Sequence, residues 1–432
     1  MRCYQTLCVE NAERSGKHPH VERGNEVIPS KLPIFMTKNA KLRNTIGYYL
    51  LFISLGFGLG IVGPALPSLA EQTSSTLGTI GSMFLVSALG SILGTILGGR
   101  ILDRVPRGHL VLGAAQLFSA VLLAVIPLAG SLPILLLISF FSGLPVGIIN
   151  TGGNTLLMWT HGKKAGPYVN GLHFAFGLGA FLAPTIFAQV LKLDGTYQHA
   201  YWALSLLAVC VGLFVLFLPD SPNNPDKHED NVQSRENLRK ALPVIIVALL
   251  FLFFYVGSEI TFGNWIYTYA LTLDLADATR AAYLTSAFWL SFTIGRAISV
   301  PVAARFTPAQ ILAVAFLGGL GALTLMFLWP GSLNLLWVST LLVGFFMAPV
   351  WATGYNLAGQ SIKLTATVSS IIILGDSFGA VVLPWVTGQA IERFGAHTMP
   401  WLVFFSFAIN AVIFVIMLQQ RKKNLQAVRA EV

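Results

Sequence analysis

The chain has 432 residues, of which 55% are hydrophobic and only 10% charged, with a mean hydropathy of +0.71. Soluble domains carry roughly 25% charged residues, so a water-facing surface of ordinary size is excluded and the composition is that of an integral membrane protein. The excess of nine positive charges does not mark a nucleic-acid surface, because the lysines and arginines sit in short stretches between apolar runs, where they act as topology signals.

Residues 1–40 are polar and basic without apolar periodicity, and read as a disordered cytoplasmic tail. No apolar core of a signal peptide precedes residue 44, and Met36, just ahead of the first apolar segment, is an expected translation start. Cys3 and Cys8 fall in the tail and Cys210 in an apolar run, which fits neither a disulfide framework nor a metal site. No metal and no cofactor other than a coupling ion is expected.

From residue 44 onward apolar segments follow at short intervals. A helix needs about 20 residues to cross ~30 Å of hydrocarbon. Twelve segments qualify, numbered here as spans 1 to 12: 44–69, 77–99, 108–129, 132–159, 164–191, 198–218, 241–271, 280–304, 308–329, 333–360, 364–391 and 398–418. The break at 219–240 is rich in proline, asparagine and charge, and reads as a linker. The predicted fold is all-α, with twelve transmembrane helices in two pseudo-symmetric six-helix bundles (44–218 and 241–418), and tails at 1–43 and 419–432. With this count, 24 of the 27 lysines and arginines fall on one side, leaving Lys192, Arg280 and Arg393 on the other. The positive-inside rule then places both termini in the cytoplasm, and the protein in a cell membrane (inner or plasma).

Span 1 carries Gly56, Gly58, Gly60 and Gly63-Pro64, a pattern for close helix packing or for a bendable helix. Spans 2 and 3 are joined by Gly99-Arg100-Ile101-Leu102-Asp103-Arg104-Val105-Pro106-Arg107-Gly108. This resembles the signature G-x-x-x-D-R-x-G-R-R of the major facilitator superfamily, with proline at the usual second glycine. A fainter copy stands at Gly295-Arg296 in span 8. Gly99 would allow close helix approach, and Asp103 could cap a helix or pair with an arginine; Arg104 and Arg107 complete the conformational motif.

Spans 4 and 5 hold Thr151-Gly152-Gly153-Asn154 and Gly179-Ala180-x-x-x-Pro184. Spans 10 and 11 repeat them as Thr353-Gly354-Tyr355-Asn356 and Gly379-Ala380-x-x-x-Pro384, at offsets of 202 and 200 residues. A chain that repeats by halves in membrane-length segments points to a transporter. The glycine–proline runs read as matched packing elements of the two halves.

Ionisable side chains are costly in a bilayer unless they face a cavity or a partner. His173 lies in span 5, Glu259 in span 7 and Asp376 in span 11. Amides cluster similarly, with Asn150 and Asn154 in span 4, Asn264 in span 7, and Asn356 and Gln360 in span 10. The superfamily resemblance implies that spans 1, 4, 7 and 10 line a central cavity flanked by 2, 5, 8 and 11. Glu259 and Asp376 fall near mid-span with no lysine or arginine expected at that depth, Arg296 being nearer the end of span 8. Such carboxyls must be protonated, meet His173, bind a cation, or be held neutral by structural hydrogen bonds. Amides beside Trp265 suit a polyhydroxylated ligand, since amides donate and accept and an indole face covers sugar C–H groups. Trp159, Trp289, Trp351 and Trp385 read as packing or interfacial residues.

The stretches TGGNTLLMW, HGKKAGPYVNGLHFAFGLGAFLAP and FYVGSEITFGNWIYTYA resemble the sodium-dependent glucose transporter branch of the superfamily, related to the fucose permeases. The resemblance implies a sugar, expected to be a hexose, carried in symport with sodium or a proton. It points to Asn154, His173, Gly179, Pro184, Glu259 and Trp265. Asn150, Asn154, His173, Glu259, Asn264, Trp265, Asn356 and Gln360 are the expected substrate contacts, with Asn154 and Asn356 equally readable as interhelical hydrogen bonds near a cytoplasmic gate, and Glu259 and Asp376 are the expected coupling residues. The expected partners are the sugar and the bilayer, with no nucleic acid, and the expected state is a monomer. Two other readings compete. A proton-coupled drug or metabolite exporter of the same fold would carry G-x-x-x-G-P-x-x-G-G in span 5, which this chain lacks. An intramembrane aspartyl protease is suggested by Gly375-Asp376, but needs a second intramembrane aspartate, which is absent; no enzyme activity is expected.

Overall fold

A computed structural model describes residues 38–105, 107–218, 221–222, 235–362 and 366–430. The tail with Cys3, Cys8 and Met36, most of the linker, and Lys363 lie outside the described residues. Within them the chain is helical without strands, and twelve helices are long and apolar enough to cross a membrane. They run over Lys38–Gln72, Leu77–Arg104, Gly108–Leu128, Leu132–His161, Gly166–Leu193, Tyr197–Leu216, Leu242–Thr272, Ala278–Ala303, Pro308–Leu328, Leu333–Gly359, Ile371–Phe394 and Thr398–Lys423. These are the predicted spans. In hydrocarbon every backbone N–H and C=O must find its partner inside the segment, which leaves such apolar runs no alternative to helix.

Some helices depart from the predicted bounds or continuity, span 2 among them, which is interrupted at Gly81. The helix of span 7 begins at Arg235, inside the predicted linker, and that of span 12 continues to Ala430. Span 10 is discontinuous, as Leu333–Met347 and Val350–Gly359. The interruption falls at Ala348-Pro349, because Pro349 has no N–H for the ladder and its ring clashes with the preceding turn.

The repeated glycines are where paired helices touch. A Cβ on Gly179 of span 5 would lie 2.0 Å from the Ile53 carbonyl oxygen of span 1, and one on Gly379 of span 11 would lie 2.1 Å from that of Phe253 in span 7. The partners are themselves 200 residues apart, so the run builds the same crossing twice. Gly56 and Gly60 meet span 5 from the other side, and span 1 remains one continuous helix. Spans 2 and 4 interlock through Gly90, Gly94, Gly143 and Gly147, each against a carbonyl of the other helix. Gly99 takes no part: nothing lies within 4 Å of where its Cβ would be, so the close approach expected there belongs to Gly90 and Gly94 instead.

An even number of spans leaves the start of span 1 and the end of span 12 on one membrane face, called here the terminal face. On the opposite, remote face the halves are joined by side chains. Thr76 Oγ1 (2.7 Å) and Gly78 N–H (2.9 Å) donate to Glu392 of span 11, and Gln389 Nε2 donates to the Gly78 carbonyl at 2.8 Å. Between spans 5 and 8, Thr185 donates to Ser286 (3.0 Å) and Gln189 to the Tyr283 hydroxyl (2.6 Å). Deeper in the membrane, Gly177 meets Thr293 at the same crossing. The remote face is therefore closed.

Candidate functional site

Toward the terminal face, beyond the contact of Gly177 with Thr293, the polar residues of both halves come within reach of one another. Glu259 is 6% exposed, and its carboxylate faces the Arg296 guanidinium at 3.9 Å. This corrects the expectation that Glu259 has no basic partner at its depth. Arg296 is seven residues from the end of its helix at Ala303, about 10 Å at 1.5 Å per residue. Its long side chain spans the remaining distance, supported by the Phe292 ring 4.4 Å below the guanidinium carbon.

Tyr255 lies one turn before Glu259 on the same face. Its hydroxyl donates to the Met347 carbonyl at 2.9 Å, tying span 7 to span 10 where Pro349 interrupts it. Two residues beyond the interruption, Trp351 Nε1–H donates to Asp376 Oδ2 at 2.8 Å, and the indole stacks on Tyr355 with centroids 5.4 Å apart. Asp376 Oδ1 is buried and has no hydrogen-bond partner among the described residues. Glu259 and Arg296 both lie within electrostatic reach of Asp376, and Arg296 within that of His173. His173 is exposed, with its ring edge-on to Phe52 at 6.2 Å. The cluster thus gathers two carboxylates, one guanidinium and one imidazole at a broken helix, the kind of place where transporter folds bind ions and substrates.

The other expected site residues divide. Asn154 Nδ2 donates to the Asn150 carbonyl at 2.9 Å and lies 3.3 Å from its Oδ1, so these two share one face of span 4, with Asn150 exposed. Asn356 and Gln360 are exposed at the end of span 10. Asn264 and Trp265 lie apart from the cluster. The Asn264 amide donates to the Ile260 carbonyl (3.0 Å) and its backbone packs on Gly63 of span 1. Trp265 is fully buried and donates to the Pro384 carbonyl at 3.0 Å. In this structure Trp265 ties span 7 to span 11, while the Asn264 amide is engaged within its own helix. Asp103, Arg104 and Arg107 are exposed, and Asp103 makes no ion pair or cap among the described residues.

Two residues of the cluster, Tyr255 and Trp351, carry no functional reading from sequence, and Arg296 carries only that of a faint motif copy. Tyr255 and Glu259 stand at i and i+4. Pro349 two residues before Trp351 was the available signal that this tryptophan starts a new helical segment rather than filling an apolar one.

Solved structures share the fold. A D-xylose–proton symporter superposes with a TM-score of 0.69 at 15% identity, covering 86% of this chain and 97% of that one. The xylose transporter of E. coli in a partially occluded inward open conformation gives 0.68 at 13%, covering 88% and 99%. Among curated proteins, the mouse (Mus musculus) sodium-dependent glucose transporter 1A is 27% identical over 374 residues, 79% of this chain and 88% of that protein. The human (Homo sapiens) sodium-dependent glucose transporter 1 is 27% identical over 374 residues, covering 78% and 71%. The family model described as Major Facilitator Superfamily matches residues 48–372. With twelve helices in two repeated halves around a polar cluster, the chain belongs to the major facilitator superfamily of membrane transporters.

Proposed function

We propose that the chain carries a hexose across the cell membrane by alternating access, in symport with sodium or a proton. The observation that carries this reading is the charge count of the cluster. With Glu259 and Asp376 ionised, the single Arg296 leaves one negative charge inside the membrane. A charge held there uncompensated is costly, so one bound cation settles the site. Coupling follows if the halves rearrange readily only when the site is neutral. The sugar reading is supported by the relatives named as sodium-dependent glucose transporters. Exposed amides at Asn150, Asn356 and Gln360, with Asn154 and His173, supply donors and acceptors for hydroxyls. Asn264 and Trp265 enter as substrate contacts only if the remote face opens and frees them. The distribution of lysine and arginine assigns the terminal face to the cytoplasm. The structure is then the state closed to the outside.

Uptake of labelled hexoses into proteoliposomes, with sodium and proton gradients imposed separately, tests this. Accumulation of a hexose under one gradient is expected, and none under either overturns the reading. Glu259→Gln balances Arg296 against Asp376 without a cation. It is expected to abolish gradient-driven accumulation while retaining exchange, and full accumulation by this variant would remove Glu259 from coupling.

A further inference from the structure

The two carboxylates of the cluster are not equivalent. Glu259 already has a countercharge in Arg296 at 3.9 Å. Asp376 has none of its own, and its two oxygens differ. Oδ2 accepts the indole N–H of Trp351 at 2.8 Å, whereas Oδ1 is buried with no hydrogen-bond partner among the described residues. A buried carboxylate oxygen left without a partner loses its hydration and gains nothing in return. A proton or a sodium ion at that atom would restore what water gave.

We infer that the coupling cation is held at Oδ1 of Asp376, and that Trp351 is the positioning residue that presents this oxygen. The inference rests on the symport reading above and deepens it. The indole N–H engages Oδ2 and so fixes the carboxylate's rotation about its last bond. The Trp351 ring is itself fixed by its stack on Tyr355, with planes 12° apart, and by its place two residues beyond the interruption at Pro349. Movement of the short helix Val350–Gly359 therefore carries the indole with it, and re-aims or releases the carboxylate. This gives the cation a direct mechanical link to span 10. The charged groups around the site are Glu259 on span 7 and Arg296 on span 8. These two already pair with each other at 3.9 Å, and Oδ2 is engaged by Trp351, so Oδ1 is the oxygen left to a mobile ion.

The test measures half-saturating cation concentration and half-saturating sugar concentration in proteoliposomes, titrating sodium at fixed pH and pH at fixed sodium. Trp351→Phe keeps a ring and loses the N–H donor. It is expected to shift the half-saturating concentration of the coupling cation about tenfold, the scale of one charge-assisted hydrogen bond: upward for sodium, which loses the oriented oxygen, and downward for a proton, because the lost N–H no longer stabilises the charged carboxylate. The half-saturating sugar concentration, taken at saturating cation, should change far less. A general packing defect would not split the two constants in this way. Trp351→His, which retains an N–H, is expected to reverse part of that shift. Asp376→Asn is expected to abolish cation dependence. Should Trp351→Phe lose all transport, melting in detergent decides. A rise in melting temperature with saturating cation in the parent that is absent from Asp376→Asn supports the assignment; a rise retained by that variant overturns it. If the parent accumulates hexose with a cation gradient but Trp351→Phe titrates as the parent does, this inference falls and the symport reading stands. If the parent shows no cation dependence, both fall.

Discussion

Arg296 shows how far one side chain changes the reading of its neighbours. Its guanidinium is 29% exposed while the Glu259 carboxyl is 8% exposed, so the pair joins a half-open position to a closed one. Removing one member of a buried pair leaves the other charged and unpaired, which costs about 3–5 kcal/mol; with Arg296 partly open, the lower end applies. Arg296→Gln should therefore lower the melting temperature in detergent and reduce uptake. The double variant Glu259→Gln with Arg296→Gln should regain most of the stability, since position 259 no longer holds a buried charge stripped of its partner. A double variant no more stable than Arg296→Gln alone would show that the two residues are not coupled. The carboxylates themselves were legible in the sequence because intramembrane acids are rare and stand out by residue type. The pairing of Arg296 is not legible in sequence, because position gives depth along a helix axis and not the reach of a long side chain (about 6–7 Å) from it. Trp351 reads as packing because an indole in an apolar run has no sequence mark of a polar role; its partner Asp376 is 25 residues away on another helix.

The helices were legible because period and length suffice when the solvent is lipid, and the structure moves most boundaries by a few residues. What sequence could not rank was the glycines. Gly94 and Gly99 both belong to span 2, and only neighbours in space tell them apart. A Cβ on Gly94 would meet the Leu144 carbonyl oxygen at 2.1 Å, whereas one on Gly99 meets nothing within 4 Å. Gly94→Ala is expected to force spans 2 and 4 apart, at about 1–3 kcal/mol of overpacking. Gly99→Ala should be neutral or stabilise by roughly 0.5–1 kcal/mol, because alanine loses less freedom than glycine in a helix. Thermal melting of the two purified variants checks this. Equal destabilisation would contradict the packing described for span 2. The same logic makes Gly179 and Gly379 equivalent positions, each set against a carbonyl in a matching crossing.

At the scale of the whole molecule the scaffold is duplicated and the chemistry is not. Two hundred residues before Glu259 stands Leu59, before Asp376 stands Phe176, and after His173 stands Ile373. The repeat was legible, and so was its asymmetry; which face the halves close on was not, because closure depends on contacts between segments some 100–300 residues apart. On the remote face that closure is carried by Glu392 against Thr76 and Gly78, by Gln389, and by the pairs Thr185–Ser286 and Gln189–Tyr283. Opening this face must break them together, so each contributes to the balance between the two states. Glu392 is the one carboxylate among these acceptors. It is exposed, which discounts its two hydrogen bonds to about 1 kcal/mol together, or a roughly fivefold change in population. Phe187 of span 5 is fully buried in this state, edge-on to Tyr267 of span 7, and so reports opening. With Cys3, Cys8 and Cys210 replaced by serine, a Phe187→Cys variant should react slowly with a membrane-impermeant thiol reagent applied from outside. Adding Glu392→Ala should speed that reaction about fivefold, by raising the fraction of molecules open on the remote face. An unchanged rate would mean that the spans 5 and 8 contacts hold the face shut without Glu392.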